Sequence, residues 1–236
     1  MREDKGLKQP PISLHLVFSG NPGTGKTTVA RILSKIYKEL GILSKGHLVE
    51  VDRSDLVAGY IGQTAINVKN IMSKAMGGIL FIDEAYSLTS NTIGNDFGIE
   101  AIDTLLKIME DNRDKIIVIV AGYPDLMENF LNSNPGLKSR FNTFINFEDY
   151  NSNELYDIFV KLCKENHYGF SKDAKEYINQ YFIDIYNSRG ENFANGREVR
   201  NYFEKVMKNH ANRLSSEVNN IDEEKLITFR LEDCTV

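Results

Sequence analysis

Cysteine is scarce in this chain of 236 residues: only Cys163 and Cys234 occur, far apart and without Cys-x-x-Cys spacing. That argues against a disulfide framework and against a structural zinc site, and it fits a reducing compartment. The four histidines (His15, His47, His167 and His210) are scattered with no metal-ligand spacing and read as ordinary structural or surface residues. Basic charge is also short, with 28 Lys and Arg against 33 Asp and Glu, a net charge of −5 and a pI of about 5.5. No cluster longer than isolated Lys/Arg pairs appears, so the totals carry no footprint for nucleic acid or acidic lipid. A local basic patch on an acidic protein stays compatible with those totals. No apolar run approaches about 18 residues, so no segment reads as a membrane span. The start, Met1-Arg-Glu-Asp-Lys-Gly6, has no apolar stretch of the secretory kind. A soluble cytoplasmic protein is expected.

What is present is a core-sized apolar fraction, 42% hydrophobic against 26% charged, enough for one large domain or a medium one plus a small one. The first half alternates between two periods. Leu14–Phe18 reads as a buried strand and Ile79–Ile82 as a fully apolar one, with His47–Val51, Ile116–Ala121 and the shorter Phe144–Phe147 as further strand candidates. Between them, apolar residues recur at helical spacing. Val29, Ile32, Leu33, Ile36, Tyr37 and Leu40 predict one helix, stopped by Gly41. Ala65, Val68, Ile71, Met72 and Ala75 predict a second, with Thr64 as its N-cap. Ile99, Ile102, Leu105, Leu106 and Met109 predict a third. Strands apolar on both faces, separated by amphipathic helices, predict a parallel sheet covered on both sides. Beyond Tyr150 the pattern becomes helical, over about 153–166, 173–186 and 197–216, with one weak strand at 226–231. The expected organisation is an α/β domain over 1–150 and a small helical domain over 151–236.

Gly20-Asn21-Pro22-Gly23-Thr24-Gly25-Lys26-Thr27 fits G-x-x-x-x-G-K-[ST] between a strand and a helix. The glycines let backbone N–H groups turn inward around phosphates, and the helix N-terminus adds partial positive charge. Lys26 is placed to reach the β- and γ-phosphates, and the Thr27 hydroxyl to ligand Mg²⁺. An accidental match arises in roughly one chain of this length in a hundred on average composition, and the strand–loop–helix context lowers that further. Gly78-Ile-Leu-Phe-Ile-Asp83-Glu84 then ends a buried strand in two carboxylates. Asp83 would orient Mg²⁺ through its waters, and Glu84 would act as general base on water. Standing alone, the pair would read as an acidic turn with Asp as a helix cap. No Asn-Lys-x-Asp sequence of the guanine-reading kind is present, which points to ATP.

Three further features are ambiguous by themselves. Gly59-Tyr60-Ile61-Gly62 reads either as a mobile loop with an exposed apolar tip that grips polypeptide, or as a pair tucked into the core. Arg140, after Asn134-Pro-Gly-Leu-Lys-Ser139, reads as a loop arginine in a salt bridge or on a solvated face. Arg197 reads the same way, but it opens a helix, where a cation opposes the helix dipole, so an anion such as a nucleotide phosphate is one candidate partner.

Together these motifs resemble those of an AAA+ ATPase. The phosphate loop, Gly59–Gly62, Ile82-Asp-Glu-Ala-Tyr86, Ala121-Gly-Tyr-Pro124, Asn134–Phe141 and Asn195-Gly-Arg-Glu-Val-Arg200 occur in the order that class shows. Ser44–Leu48 and Gly77–Leu88 look like the group containing stage V sporulation protein K and the red-type Rubisco activases. The resemblance runs from about residue 7 to about residue 214. It implies a five-stranded parallel sheet, a helical lid and a hexameric homo-oligomeric ring with ATP between subunits. It implies nucleotide contacts from Gly20 through Thr28 and from Arg197, and Mg²⁺ at Thr27 and Asp83. By position, Tyr60 and Ile61 resemble a pore loop that drags a protein substrate, and Arg197 resembles the lid sensor arginine. Arg140 resembles the arginine finger offered in trans, with Lys138 as the nearby alternative. The sensor position after the fourth strand departs from the usual Asn or Thr and reads Ala121-Gly122-Tyr123. The chain starts a few residues before its first strand, which leaves little room for a substrate-recruiting segment and fits one module of a longer protein. The competing function on the same scaffold is a nucleic-acid-associated loader or helicase component, which needs a basic surface and salt-dependent DNA binding. A small-molecule kinase fits less well, because Glu84 is suited to activating water.

Overall fold

A computed structural model describes residues 13–60, 62–89, 97–216 and 222–235. The chain forms two compact units. One joins the residues up to Gly20 with Lys26–Phe147, and the other joins Asn21–Gly25 with Glu148–Val236. The phosphate-loop segment between Gly20 and Lys26 thus packs with the second unit.

The first unit is built on strands β1 (Leu16–Gly20), β2 (Leu48–Val51), β3 (Ile79–Ile82), β4 (Ile117–Gly122) and β5 (Thr143–Phe147). All pair in parallel, in the order β2-β3-β4-β1-β5. Parallel strands need crossovers, and here they are helices α1 (Lys26–Glu39), α2 (Arg53–Leu56) with α3 (Gln63–Ala75), α4 (Phe97–Asp111), and α5 (Pro124–Asn132) with α6 (Pro135–Arg140). Alternation along each strand divides the core by face. Leu16, Phe18, Ile79, Phe81, Ile117, Ile119 and Ala121 pack with Ala30 of α1 on one side. Val17, Leu80, Ile82, Val118 and Val120 pack with α3, α4 and α5 on the other. Burial on both faces explains why these strands read as continuous apolar runs.

Three local readings are corrected. Thr64 is not the N-cap of α3. Gly62, in a left-handed conformation, holds that position, and the buried Thr64 hydroxyl accepts the Ala58 N–H at 3.1 Å. The apolar stripe of α1 is wider than its contact. Ala30 and Ser34 are buried and Val29, Leu33 and Tyr37 half-buried, while Ile32, Ile36 and Leu40, one turn apart, stand exposed. Arg140 lies on a helix, not a loop. Asn134 caps α6 by accepting the Gly136 N–H at 2.8 Å, and Pro135 takes the first helical position, where a missing N–H costs nothing.

The second unit packs α7 (Ser152–Glu165), α8 (Lys172–Asn187) and α9 (Gly196–Ser216) around an aromatic core. Phe159 is central, with Phe182, Tyr202 and Phe203 rings 5.4–5.9 Å away. The expected weak strand is shorter than read. Only Thr228–Phe229 (β7) is extended, pairing in parallel with Gly169–Phe170 (β6), and it is flanked by α10 (Glu223–Ile227) and α11 (Leu231–Cys234). Arg213 and the buried Asp233 form a paired contact, Nε to Oδ1 at 2.8 Å and a second nitrogen to Oδ2 at 2.9 Å, fastening α11 to α9. Cys163 and Cys234 are buried free thiols, both pushed up to about 12 by burial.

Candidate active site at the strand ends

Parallel order places the chemistry at one edge. Val17 of β1 and Ile82 of β3 both pair with Val120 of the intervening β4. Gly20, Asp83 and Tyr123 therefore follow closely at the same carboxyl edge of three adjacent strands. Strand spacing puts β1 and β3 about 10 Å apart, and crevices at the carboxyl ends of such sheets are where ligands bind.

Gly20 and Gly23 are required by geometry. A Cβ on Gly20 would lie 2.4 Å from the Phe147 carbonyl oxygen, and Gly20 has a φ of +150°. At Gly23, with φ +74°, a Cβ would lie 2.2 Å from the Ala194 oxygen and 2.8 Å from the Arg197 nitrogen. Left-handed strain and the clash together predict that Gly23→Ala costs about 3 kcal/mol. Thermal unfolding should show a lowered midpoint, and ADP titration should show at least a tenfold loss of affinity. Unchanged ADP affinity would mean the loop's closure against Ala194 is irrelevant to binding.

Within the loop the Thr24 hydroxyl donates to the Asn21 carbonyl at 2.8 Å. Lys26 Nζ donates to the Gly20 carbonyl at 2.8 Å, so the lysine curls over the loop it follows. The Thr27 hydroxyl faces Glu50 Oε1 at 3.4 Å, and Thr28 is exposed.

Asp83 is anchored through its backbone, its N–H donating to the Val51 carbonyl at 2.9 Å, and its Oδ1 accepts the Glu84 N–H at 3.0 Å. Glu84 is exposed and adopts φ +48°, a conformation non-glycine residues hold only when their surroundings impose it. The turn Ala85–Thr89 begins there. Burial first and then the charge of Glu84 push the Tyr86 phenol up to about 12. The Tyr86 ring lies 6.1 Å from that of Tyr123, and a Cβ on Gly122 would come within 2.7 Å of Tyr86. Two tyrosines thus stand where the resemblance leads one to expect a small polar sensor. No group of three or more His, Cys, Asp or Glu suited to a metal occurs among the described residues. One hydroxyl and one carboxylate are hard oxygen donors, and this sparse set fits Mg²⁺, which is held by one or two carboxylates and the substrate's phosphates.

Tyr60 is 79% exposed, so the core reading fails for it; Ile61 lies outside the described residues. Arg140 is in an ion pair, 2.9 Å from Glu110 Oε2, and its Nε is buried without a partner among the described residues. Its carbonyl accepts the Ser13 hydroxyl at 2.7 Å. Beside it His15 is buried and pushed down to about 4, by desolvation first and then by the Arg140 charge. Its Nδ1 accepts the Val118 N–H at 3.0 Å, so the neutral ring serves as part of the sheet. Lys138 is exposed on the same short helix. Arg197 is exposed in the first turn of α9, and its backbone lies against Gly23. No sequence signal marked Glu110, Asp149 or Tyr150, and Asn195 stood out only as the first residue of the motif Asn195–Arg200. Within that motif the Asn195-Gly196 dipeptide is a turn signal.

No helix among the described residues is long and apolar enough to cross a membrane. The model of the ATPase family associated with various cellular activities (AAA) matches residues 16–149, and an AAA lid domain matches 151–236. The chain is 47% identical over 214 residues to stage V sporulation protein K of Bacillus subtilis (strain 168), covering 90% of this chain and 66% of that protein. It is 43% identical to protein CbbX of Cereibacter sphaeroides, covering 98% and 75%. To the chloroplastic ribulose bisphosphate carboxylase/oxygenase activase of Cyanidioschyzon merolae it is 42% identical, covering 99% and 79%. Among solved structures, the FIGL-1 AAA domain in complex with ADP superposes with a TM-score of 0.65 at 18% identity, covering 99% of this chain and 73% of that one. With its 5-stranded parallel sheet, phosphate loop and lid, the chain belongs to the AAA ATPase family, in the group of stage V sporulation protein K and the CbbX and Rubisco activase proteins.

Proposed function

We propose that this protein hydrolyses ATP and uses the energy, as a homo-oligomeric ring of six, to remodel or thread a protein substrate in the cytoplasm. The observation that carries the hydrolysis is the strand-end arrangement: Gly20–Thr27 after β1 and Asp83-Glu84 after β3, with only β4 between. In this reading Gly20–Gly25 and Thr28 cradle the phosphates through backbone N–H groups and hydroxyls. Lys26 moves from the Gly20 carbonyl to the β- and γ-phosphates, and Thr27 and Asp83 hold Mg²⁺, which neutralises charge on the phosphates. Glu84, turned toward solvent, takes the proton of the attacking water. Residues 1–150 form the nucleotide-binding domain and 151–236 the lid, whose Arg197 contacts the nucleotide. Arg140 serves the neighbouring subunit's γ-phosphate, and Tyr60 with Ile61 grips the substrate. A protein substrate is supported by a relative named as the activase of an enzyme, ribulose bisphosphate carboxylase/oxygenase. A trans-acting arginine couples hydrolysis to assembly, so ATPase activity per subunit should rise with protein concentration and level off once rings form. Steady-state phosphate release across a dilution series checks this. Activity strictly proportional to concentration would remove the ring from the reading.

A further inference from the structure

Asn195 is fully buried and takes φ +49°, a left-handed conformation that asparagine tolerates better than most residues. A buried amide has to place one acceptor and two donors. Its Oδ1 accepts the Tyr150 N–H at 2.8 Å. Its Nδ2 lies 2.7 Å from Asp149 Oδ1, 2.9 Å from the Phe193 carbonyl and 3.4 Å from the Pro22 carbonyl. The Asp149 carboxylate also accepts from Asn21 Nδ2, at 3.0 and 3.2 Å. The Gly196 N–H donates to the Gly23 carbonyl at 3.1 Å, and the Tyr150 hydroxyl donates to the Thr24 carbonyl at 3.0 Å. All of these residues belong to the second unit.

Two consecutive loop carbonyls, those of Gly23 and Thr24, are therefore each engaged by a donor from outside the loop, and the Pro22 carbonyl lies 3.4 Å from Asn195 Nδ2, whose two hydrogens have nearer acceptors in Asp149 and Phe193. A trans peptide is planar, so the N–H of the next residue points opposite to each carbonyl. Drawing the Gly23 and Thr24 carbonyls outward aims the N–H groups of Thr24 and Gly25 inward, which is how backbone forms an anion-binding concavity. We propose that Tyr150 and Asn195, with Asp149 orienting the Asn195 amide, are positioning residues for the nucleotide. They act through the loop backbone and touch no phosphate themselves. This rests on the reading of Gly20–Thr27 as the nucleotide's phosphate loop. It adds that the loop's donor directions are set by the Asp149–Tyr150 segment and the Asn195–Gly196 turn, the same turn that leads into Arg197.

The test is ADP titration of the full chain, with thermal unfolding in the absence of nucleotide measured in parallel. Tyr150→Phe removes one hydroxyl and leaves the ring, so folding is kept while the Thr24 carbonyl is released. It should weaken ADP binding about fivefold, the size expected for one lost hydrogen bond, with the melting temperature within about 2 °C of wild type. Asn195→Ala should weaken it further, and Asp149→Asn, which keeps an acceptor oxygen, should bind better than Asp149→Ala. A rise in Kd of at least threefold in Tyr150→Phe at unchanged melting temperature supports the assignment. A smaller rise, or one seen only in variants that also melt lower, overturns it. Lys26→Ala in the same titration separates the two layers: if it binds ADP as tightly as wild type, the phosphate-loop reading fails instead.

Discussion

Glu84→Gln should bind ATP with near wild-type affinity and hydrolyse it at least about 100-fold more slowly, the loss typical of removing a general base. The substitution exchanges one carboxylate oxygen for an amide on an exposed side chain, so neither the core nor the φ +48° turn changes in steric demand. An exposed isosteric exchange usually moves stability by no more than about 0.5 kcal/mol. Lost activity would therefore report chemistry. Single-turnover phosphate release and ATP titration measure the two quantities separately. Hydrolysis within fivefold of wild type would pass the base role to another group, with Asp83 the nearest carboxylate in sequence. If the protein threads a polypeptide, the ATP-locked variant should also hold its substrate through gel filtration, while wild type releases it.

Arg140→Ala should lower hydrolysis by about 10³-fold or more, since a trans arginine is worth 10³–10⁵ in phosphoryl transfer. Two outcomes separate this from structural damage. The Arg140–Glu110 pair is partly exposed, and such pairs contribute at most about 1 kcal/mol, so the variant should melt close to wild type. Mixed into wild-type protein, it should depress activity by more than its mole fraction, because each variant subunit disables its neighbour's site. Simple dilution behaviour in the mixture would end the trans reading. Lys138→Ala is the internal comparison: it sits exposed on the same helix and should leave turnover within about threefold. A large loss there, with Arg140→Ala active, would transfer the finger role to Lys138. In the isolated chain Arg140 faces Glu110, so service to a neighbour requires that pair to open. Glu110 was invisible as a partner, because the two residues are joined only by the packing of α4 against α6.

The order of strands and helices was legible because a parallel sheet buried on both faces has no polar side to its strands. Runs such as Ile79–Ile82 and Ile117–Val120 then stand out against helical spacing. The Gly20–Thr27 motif and Asp83-Glu84 were legible because each is an unbroken string of sequence at the end of an apolar strand. Short elements were not. The helices Pro124–Asn132 and Pro135–Arg140 open on proline, which reads as a break until its place at a first helical position is known. Thr64 had the residue type of a cap, yet its hydroxyl answers Ala58, six residues upstream. Ile32, Ile36 and Leu40 matched helical spacing as well as Leu33 and Tyr37 did, and only the position of the sheet separates the two rows.

By itself, then, the sequence determined the scaffold, the nucleotide motif and the carboxylates, since each is encoded by local pattern and contiguous residues. Tertiary structure decided which partners those groups meet: Tyr86 on Glu84, Glu110 on Arg140, and Asp149, Tyr150 and Asn195 behind the phosphate loop. The physical reason is distance along the chain. Contacts such as Asn195 to Pro22 join residues far apart in sequence, and no periodicity or spacing rule reaches that far.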